Sequence, residues 1–141
     1  MHDGEIDEFL HSEVTCRVGT VNERGPHVTP LWFLWHDGAI WLYSITGSQR
    51  WKDLAADPRI AVLVDAGTEY LELRGVEVTG TVQQVGEVPR VGEPDTRLTE
   101  VERLFARKNI GSDEMVYDER HAWLRVVPDK ITSWDFRKLA Q

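Results

Sequence analysis

The spacing of the turn signals restricts the fold most. Near the start of the chain, three runs of β-prone residues (14–21, 26–35 and 39–44) are separated by two short turn sequences, Asn22-Glu23-Arg24-Gly25 and His36-Asp37-Gly38. Gly25 and Gly38 can take the positive φ that tight turns require. Connections this short join only antiparallel neighbours, because a parallel crossover needs a dozen residues or more. The pattern therefore predicts an antiparallel meander.

The rest of the chain adds further strands and short helices. Residues 5–12 carry Ile6, Phe9 and Leu10 at helical spacing. Residues 48–57 predict a short helix with Ser48 as N-cap and Pro58 as its stop. Residues 60–64 form an apolar strand, and 69–85 alternate over a long stretch interrupted by Gly75 and Gly80. Glycine within a long strand points to a bulge or a sharp bend. Residues 86–94 read as a loop, 96–108 as an amphipathic helix, and 121–127 and 130–136 as final strands around Pro128. The expected fold is mainly β: a small split β-barrel of about six antiparallel strands with a few short peripheral helices. At 141 residues the chain is expected to be a single domain, residues 1–141.

Charge and composition narrow the function. There are 16 Lys and Arg against 24 Asp and Glu, a net charge of -8, so no basic face for nucleic acid is expected. A single cysteine, Cys16, excludes an internal disulfide and a cysteine-rich zinc site. The five histidines show no pair at metal spacing, so no metal site is expected and each reads as a surface residue. No apolar run approaches the ~20 residues of a membrane helix, and the acidic N-terminus does not read as a signal peptide. The expectation is a cytoplasmic protein with no membrane partner.

Two segments could carry chemistry. Ser48, Arg50 and Lys52 set a hydroxyl and two cations at a helix start, where free N–H groups favour an anion. Arg50 can grip a phosphate bidentately and Lys52 can add a point charge. An ordinary solvated helix face accounts for the same residues equally well. The strand Thr29, Pro30, Leu31, Trp32 and Phe33 alternates large apolar side chains and could pack under a planar ring, or simply form barrel core. No Gly-x-Ser-x-Gly elbow, Gly-x-Gly-x-x-Gly fingerprint or Walker loop occurs, and no residue stands out as nucleophile or general base. The catalytic residue is left unassigned. If the chain is an enzyme, its reactive chemistry belongs to a bound cofactor.

The order of these segments resembles a known family. The stretch from Gly19-Thr20-Val21 through Thr29-Pro30-Leu31-Trp32-Phe33 leads into Ile40-Trp41-Leu42-Tyr43-Ser44, then the Ser48/Arg50/Lys52 cluster, Asp57-Pro58-Arg59 and the strand 60–64. This resembles the pyridoxamine 5'-phosphate oxidase-like split β-barrel superfamily, most of all its actinobacterial deazaflavin (coenzyme F420)-dependent oxidoreductases. The resemblance implies F420 as cofactor, with flavin mononucleotide (FMN) as the alternative, and hydride transfer to a small electrophilic substrate. It places the cofactor phosphate on Ser48, Arg50 and Lys52, the ring on Thr29 through Phe33, and the ribityl chain along Ser44 to Thr46. It also implies a homodimer with cofactor sites between subunits, where Trp134 could reach the partner's site. The sequence departs from pyridoxamine phosphate oxidases proper. Thr29 and Leu34 stand where those enzymes carry Arg and Lys, and Trp134 to Leu139 lack their C-terminal substrate spacing. An FMN-dependent oxidase or reductase and a non-catalytic flavin or deazaflavin carrier remain the alternatives.

Overall fold

A computed structural model describes residues 1–140. The elements in chain order are α1 (Asp3–Ser12), β1 (Thr15–Asn22), β2 (Gly25–Trp32), β3 (Leu34–His36), β4 (Ala39–Ile45), α2 (Gln49–Ala56), β5 (Arg59–Ala66), β6 (Arg74–Val85), α3 (Thr99–Asn109) and β7 (His121–Asp135). Seven strands, all antiparallel, form one curled sheet in the order β2-β1-β5-β6-β7-β4-β3. The fold is a split β-barrel. No helix among the described residues is long and apolar enough to cross a membrane.

Four expectations need correction. The run 26–35 breaks at Phe33 into two strands, which with the last two runs merged leaves seven in all. Phe33 turns its ring wholly inside, and the chain passes from β2, which pairs with β1, to β3, which pairs with β4. Residues 70–72 form a 3-10 turn, so β6 begins at Arg74. The helix expected over 96–108 starts at Thr99 and reaches Asn109. The two final strands are one strand of 15 residues running through Pro128. Proline is tolerated there because the β6–β7 register slips between Thr79 and Gly80, and Gly80 faces Pro128 at the resulting bulge.

The sheet buries both faces of its middle. Inside the curl, Val18, Phe33, Leu42, Val62, Val76 and Leu124 form the main core, closed at one end by Phe9 and Leu10 of α1. On the outer face, Trp41, Val85 and Trp123 pack under Val101 and Phe105 of α3. This explains why β4 is buried along nearly its whole length. Trp123 meets Trp41 and Phe105 edge-on, at ring separations of 6.5 and 5.1 Å. Such edge contacts suit the aromatic quadrupole. Cys16 is fully buried, and loss of hydration pushes its thiol pKa up to about 12, so it is a core residue and not a nucleophile.

Candidate functional site

The site follows from how the curl ends. β3 pairs only with Ala39 to Trp41 of β4, so Leu42 to Ile45 have no strand on that side. β2 likewise has a free outer edge. These two unpaired edges face one another across the split. A cavity of about 370 Å³ opens between them, with Pro30, Leu31 and Trp32 on one wall and Tyr43 and Ile45 on the other. Phe105 and Ile110 of the α3 region and Met115 and Val116 of the following loop close it from outside.

Helix α2 supplies the cation. Ser48 caps it, accepting from Trp51 N at 3.1 Å, as the sequence predicts. Arg50, Trp51, Asp53 and Leu54 form the buried face. The Asp53 carboxylate locks the helix to β1 by accepting from Thr20 Oγ1 and Asn22 Nδ2, both at 2.9 Å, and from Gln49 Nε2 at 2.7 Å. These bonds, that from Asn22 first, hold its pKa below the usual carboxylate range. Arg50 is thereby driven inward, only 9% exposed. Its Nε donates to Ser44 Oγ on β4 (3.1 Å) and its Nη1 to Thr29 Oγ1 on β2 (2.7 Å). The guanidinium therefore spans the split. Its Nη2 has no hydrogen-bond partner among the described residues, and Arg50 lines the cavity. Burial lowers its pKa, but an arginine remains charged.

The other expected residues are distributed unevenly. Arg50, Ser44 and Thr29 come together, and Pro30, Leu31 and Trp32 line the same cavity. Lys52 does not join them. Side chains two apart on a helix point in different directions, and Lys52 is exposed on the rim of a separate cavity of about 590 Å³ beside Arg24, Asp57 and Arg59. That cavity is the larger, but it holds as many acidic as basic side chains, and Arg59 is already paired with Asp57. The Ser48 hydroxyl is occupied, donating to Ile45 O at 2.7 Å while capping α2. Thr46 is tied to Arg120 O through its backbone N–H (2.8 Å) and its hydroxyl (3.2 Å). Phe33 lies in the inner core, and Trp134 covers Gly75 on β6. A Cβ on Gly75 would sit 2.6 Å from the Trp134 ring, so Gly75 permits a close approach and makes no bulge.

Three side chains missed in the sequence complete the wall. His121, at the start of β7, stacks on Tyr43 with ring centres 4.8 Å apart and planes 14° apart. Its Nδ1 lies 2.9 Å from Asp118 Oδ1. That bond first of all holds the Asp118 pKa below its ordinary value, and burial foremost raises that of Tyr43. No local motif marks these residues, because Tyr43 and His121 are 78 positions apart. Among the described residues no three His, Cys, Asp or Glu side chains gather into a metal-holding cluster.

A half-buried amine lies behind the cavity. Lys108 of α3 donates to Leu10 O (3.4 Å) and Phe33 O (3.3 Å) and sits 4.0 Å above the Phe33 ring. It ties α1, the β2–β3 break and α3 together. Burial lowers its pKa from 10.5 to about 8. Between these values the unfolded chain binds more protons than the folded one, so this group makes stability rise with pH across that window. Cys16 acts oppositely above pH 9, since its folded pKa is raised. The comparison of Lys108→Met with the parent isolates the lysine. Its stability relative to the parent is expected to fall by about 1 kcal/mol from pH 8 to 10.5, with solvent screening allowed for. Urea melts across that range would show no such trend if Lys108 were solvated.

A curled seven-stranded sheet, split beside a buried cation and an aromatic-walled cavity, defines a split-barrel protein with a candidate ligand site in the split. The pyridoxamine 5'-phosphate oxidase family model matches residues 2–135, and the chain belongs to that family. The conserved hypothetical protein Rv2991 from Mycobacterium tuberculosis is 30% identical, with a TM-score of 0.83 over 100% of this chain and 89% of that one. A FAD-binding protein from Mesorhizobium loti superposes with a TM-score of 0.70 at 18% identity, covering 94% of this chain and 92% of its own. An F420 reductase superposes at 0.66 and 19% identity, covering 89% of this chain and 94% of its own. No curated protein matches the chain in sequence.

Proposed function

We propose that the chain is an oxidoreductase that uses a flavin-type cofactor, with coenzyme F420 preferred, to reduce a small electrophilic substrate. The observation that carries this reading is Arg50, a buried guanidinium bridging the two edges of the split with one amino group unspent. A buried cation with a free donor calls for an anion. The wall of Pro30, Leu31 and Trp32 beside it suits a planar ring. These residues fit a cofactor that joins a flat heteroaromatic ring to a phosphate. Family membership supports the same reading, as do structural neighbours named for F420 and FAD.

In this reading the chain contributes position more than reactivity. The bound cofactor supplies hydride chemistry. Arg50 holds its anionic group, and the β2 wall orients the ring so that its reactive face meets the remaining cavity. Ser44 and Thr29 hold Arg50. Met115, Val116 and Phe105 keep that space apolar and exclude water. Fixing donor and acceptor at contact distance supplies most of the acceleration. Lys52, Ser48, Thr46 and Phe33 contribute to this site only if loading the cofactor or pairing with a second chain moves them to it. FMN is the alternative cofactor; the neighbours named for FAD favour a flavin over a deazaflavin.

The assembly we propose is a homodimer with Trp134 near the partner's site. Val28 (65% exposed) and Trp32 (47%) stand on the outward face of the unpaired β2 edge, an apolar stripe that a second subunit would cover. The deciding experiment is a paired titration of apoprotein with F420 and with FMN, followed by tryptophan fluorescence. F420 is expected to bind at least tenfold more tightly, and Arg50→Ala to weaken that binding at least tenfold. Equal binding by Arg50→Ala and a folded parent would overturn the anion assignment, and binding of neither cofactor would overturn the oxidoreductase reading.

A further inference from the structure

We propose that His121 is the proton donor of this site, held by Asp118 and seated on Tyr43; the inference rests on the cofactor reading above. Sequence patterns give no acid for the reaction, yet the cavity contains one. Of the side chains lining it, Arg50, Asp118 and His121 are those that carry or can take charge, together with the Tyr43 phenol. Arg50 stays protonated throughout, so it cannot deliver a proton. Burial holds the Tyr43 phenol protonated well above its usual range, which makes it a poor donor. Asp118 is held ionised by His121 and by the backbone N–H of Arg120, which donates to Oδ1 at 3.0 Å. His121 is left as the one group in the cavity whose ring can both give and regain a proton.

The geometry supports this role. Asp118 engages Nδ1 at 2.9 Å, so Nε2 is the ring nitrogen available for transfer. Tyr43 fixes the ring plane from below by stacking. The backbone holds the ring at a set depth, since His121 pairs with Ile45 in the β4–β7 register and its carbonyl accepts from Arg90 N at 2.8 Å. No charged group faces the ring from α3 or β2 within the cavity, whose contributions there are Phe105, Pro30, Leu31 and Trp32.

The step balances as a two-electron reduction. A reduced cofactor held by Arg50 and the β2 wall would supply the hydride, which would become a C–H bond at one end of a conjugated C=C as the π pair moves onto the adjoining carbonyl of the substrate. The proton on His121 Nε2 would then form the second C–H bond, and His121 would regain a proton from water. The substrate would gain two hydrogens, with both electrons supplied by the hydride.

The test uses the whole protein, wild type beside His121→Gln, Asp118→Asn and His36→Gln, the last at the end of β3 and outside the cavity lining. The probe is 2-cyclohexen-1-one, with reduced F420 or FMN, whichever the titration selects. His121→Gln is expected to bind the cofactor within threefold of wild type. It should lose at least thirtyfold in turnover, and lose the limb of the pH–rate profile that a general acid imposes. Asp118→Asn, whose amide can donate to Nδ1 and impose the wrong tautomer, should lose about tenfold in kcat with KM unchanged. His36→Gln should match wild type. A readout independent of turnover is the imidazole nitrogen spectrum of protein loaded with oxidised cofactor, where adding the probe should move the His121 Nε2 resonance. Full turnover and an intact pH limb in His121→Gln would overturn the proton assignment alone. So would tenfold weaker cofactor binding, which would make His121 a cofactor ligand, or an Nε2 resonance that does not move. A wild type inactive with every cofactor would overturn the oxidoreductase reading and this inference with it.

Discussion

Replacing Arg90 by Met is expected to lower the unfolding free energy by about 3–5 kcal/mol, the cost of leaving a buried charge without its partner. Arg90 is 3% exposed and Glu102 7%. Arg90 donates from Nε to Glu102 Oε2 (2.8 Å) and from Nη2 to Glu102 Oε1 (3.0 Å). Its Nη1 reaches Glu93 O at 2.6 Å and pairs with Glu87. Glu102 also accepts from Tyr117 OH (2.8 Å) and Trp123 Nε1 (2.9 Å). One carboxylate thus joins the 86–98 loop, α3, the 110–120 loop and β7. Glu87 adds to the knot by accepting from the backbone N–H groups of Val91, Gly92 and Glu93. Adding Glu102→Gln to Arg90→Met is expected to restore part of the loss, because the stranded charge disappears, the amide oxygen still accepts from Trp123 Nε1 and the amide N–H can donate to the Tyr117 hydroxyl. Urea melts of both variants would decide it, and a loss below about 1 kcal/mol in Arg90→Met would show that water replaces the arginine. The effect reaches the cavity, since α3 carries Phe105 and Arg90 N–H holds the His121 carbonyl. Arg90→Met should therefore weaken cofactor binding without touching the cofactor.

Gly80→Ala is expected to cost about 3 kcal/mol or more, at the upper end of overpacking effects. A Cβ at Gly80 would lie 2.0 Å from Val127 O and 3.2 Å from Asp129 N. Both are backbone atoms of the neighbouring strand, so no side-chain rotation relieves the clash. Gly47→Ala is the matched control, because a Cβ there meets nothing within 4 Å. It should be nearly neutral. Hydrogen exchange along β6 and β7 should report the damage, with amides around Thr81 and Val126 losing protection. A Gly80→Ala protein with parental melting and exchange would mean the bulge can migrate.

That glycine also shows how far the sequence could be read. A glycine inside a long alternating run signals a bulge, and Gly80 makes one because Pro128 opposite it has no N–H to give. Gly75 carried the same signal and has a different cause, the Trp134 ring lying against it. Sequence distinguishes the two only once the partner strand is known. The break at Phe33 escaped notice for a related reason. A run of Leu, Trp, Phe, Leu and Trp satisfies strand preference at every position, and only the change of partner from β1 to β4 forces the kink. In α2 the sequence placed the cap and the stop, but it grouped Lys52 with Arg50 by proximity along the chain, and the helical turn separates them.

The sequence by itself determined most of the strand and turn pattern, the faces of two short helices and the class of barrel, because period-2 and period-3.6 burial are written residue by residue. It also marked Arg50, grouped with Ser48 and Lys52. Tertiary structure decided what Arg50 does there. Sheet order sets β2 and β4 across an open split, and the β4–β7 register sets Tyr43 diagonally beside His121. Alternation tells each strand which face to bury but not which strand lies beside it. The neighbour is chosen by the packing of the whole curl, and the cavity, its cation and its histidine exist only once that choice is made.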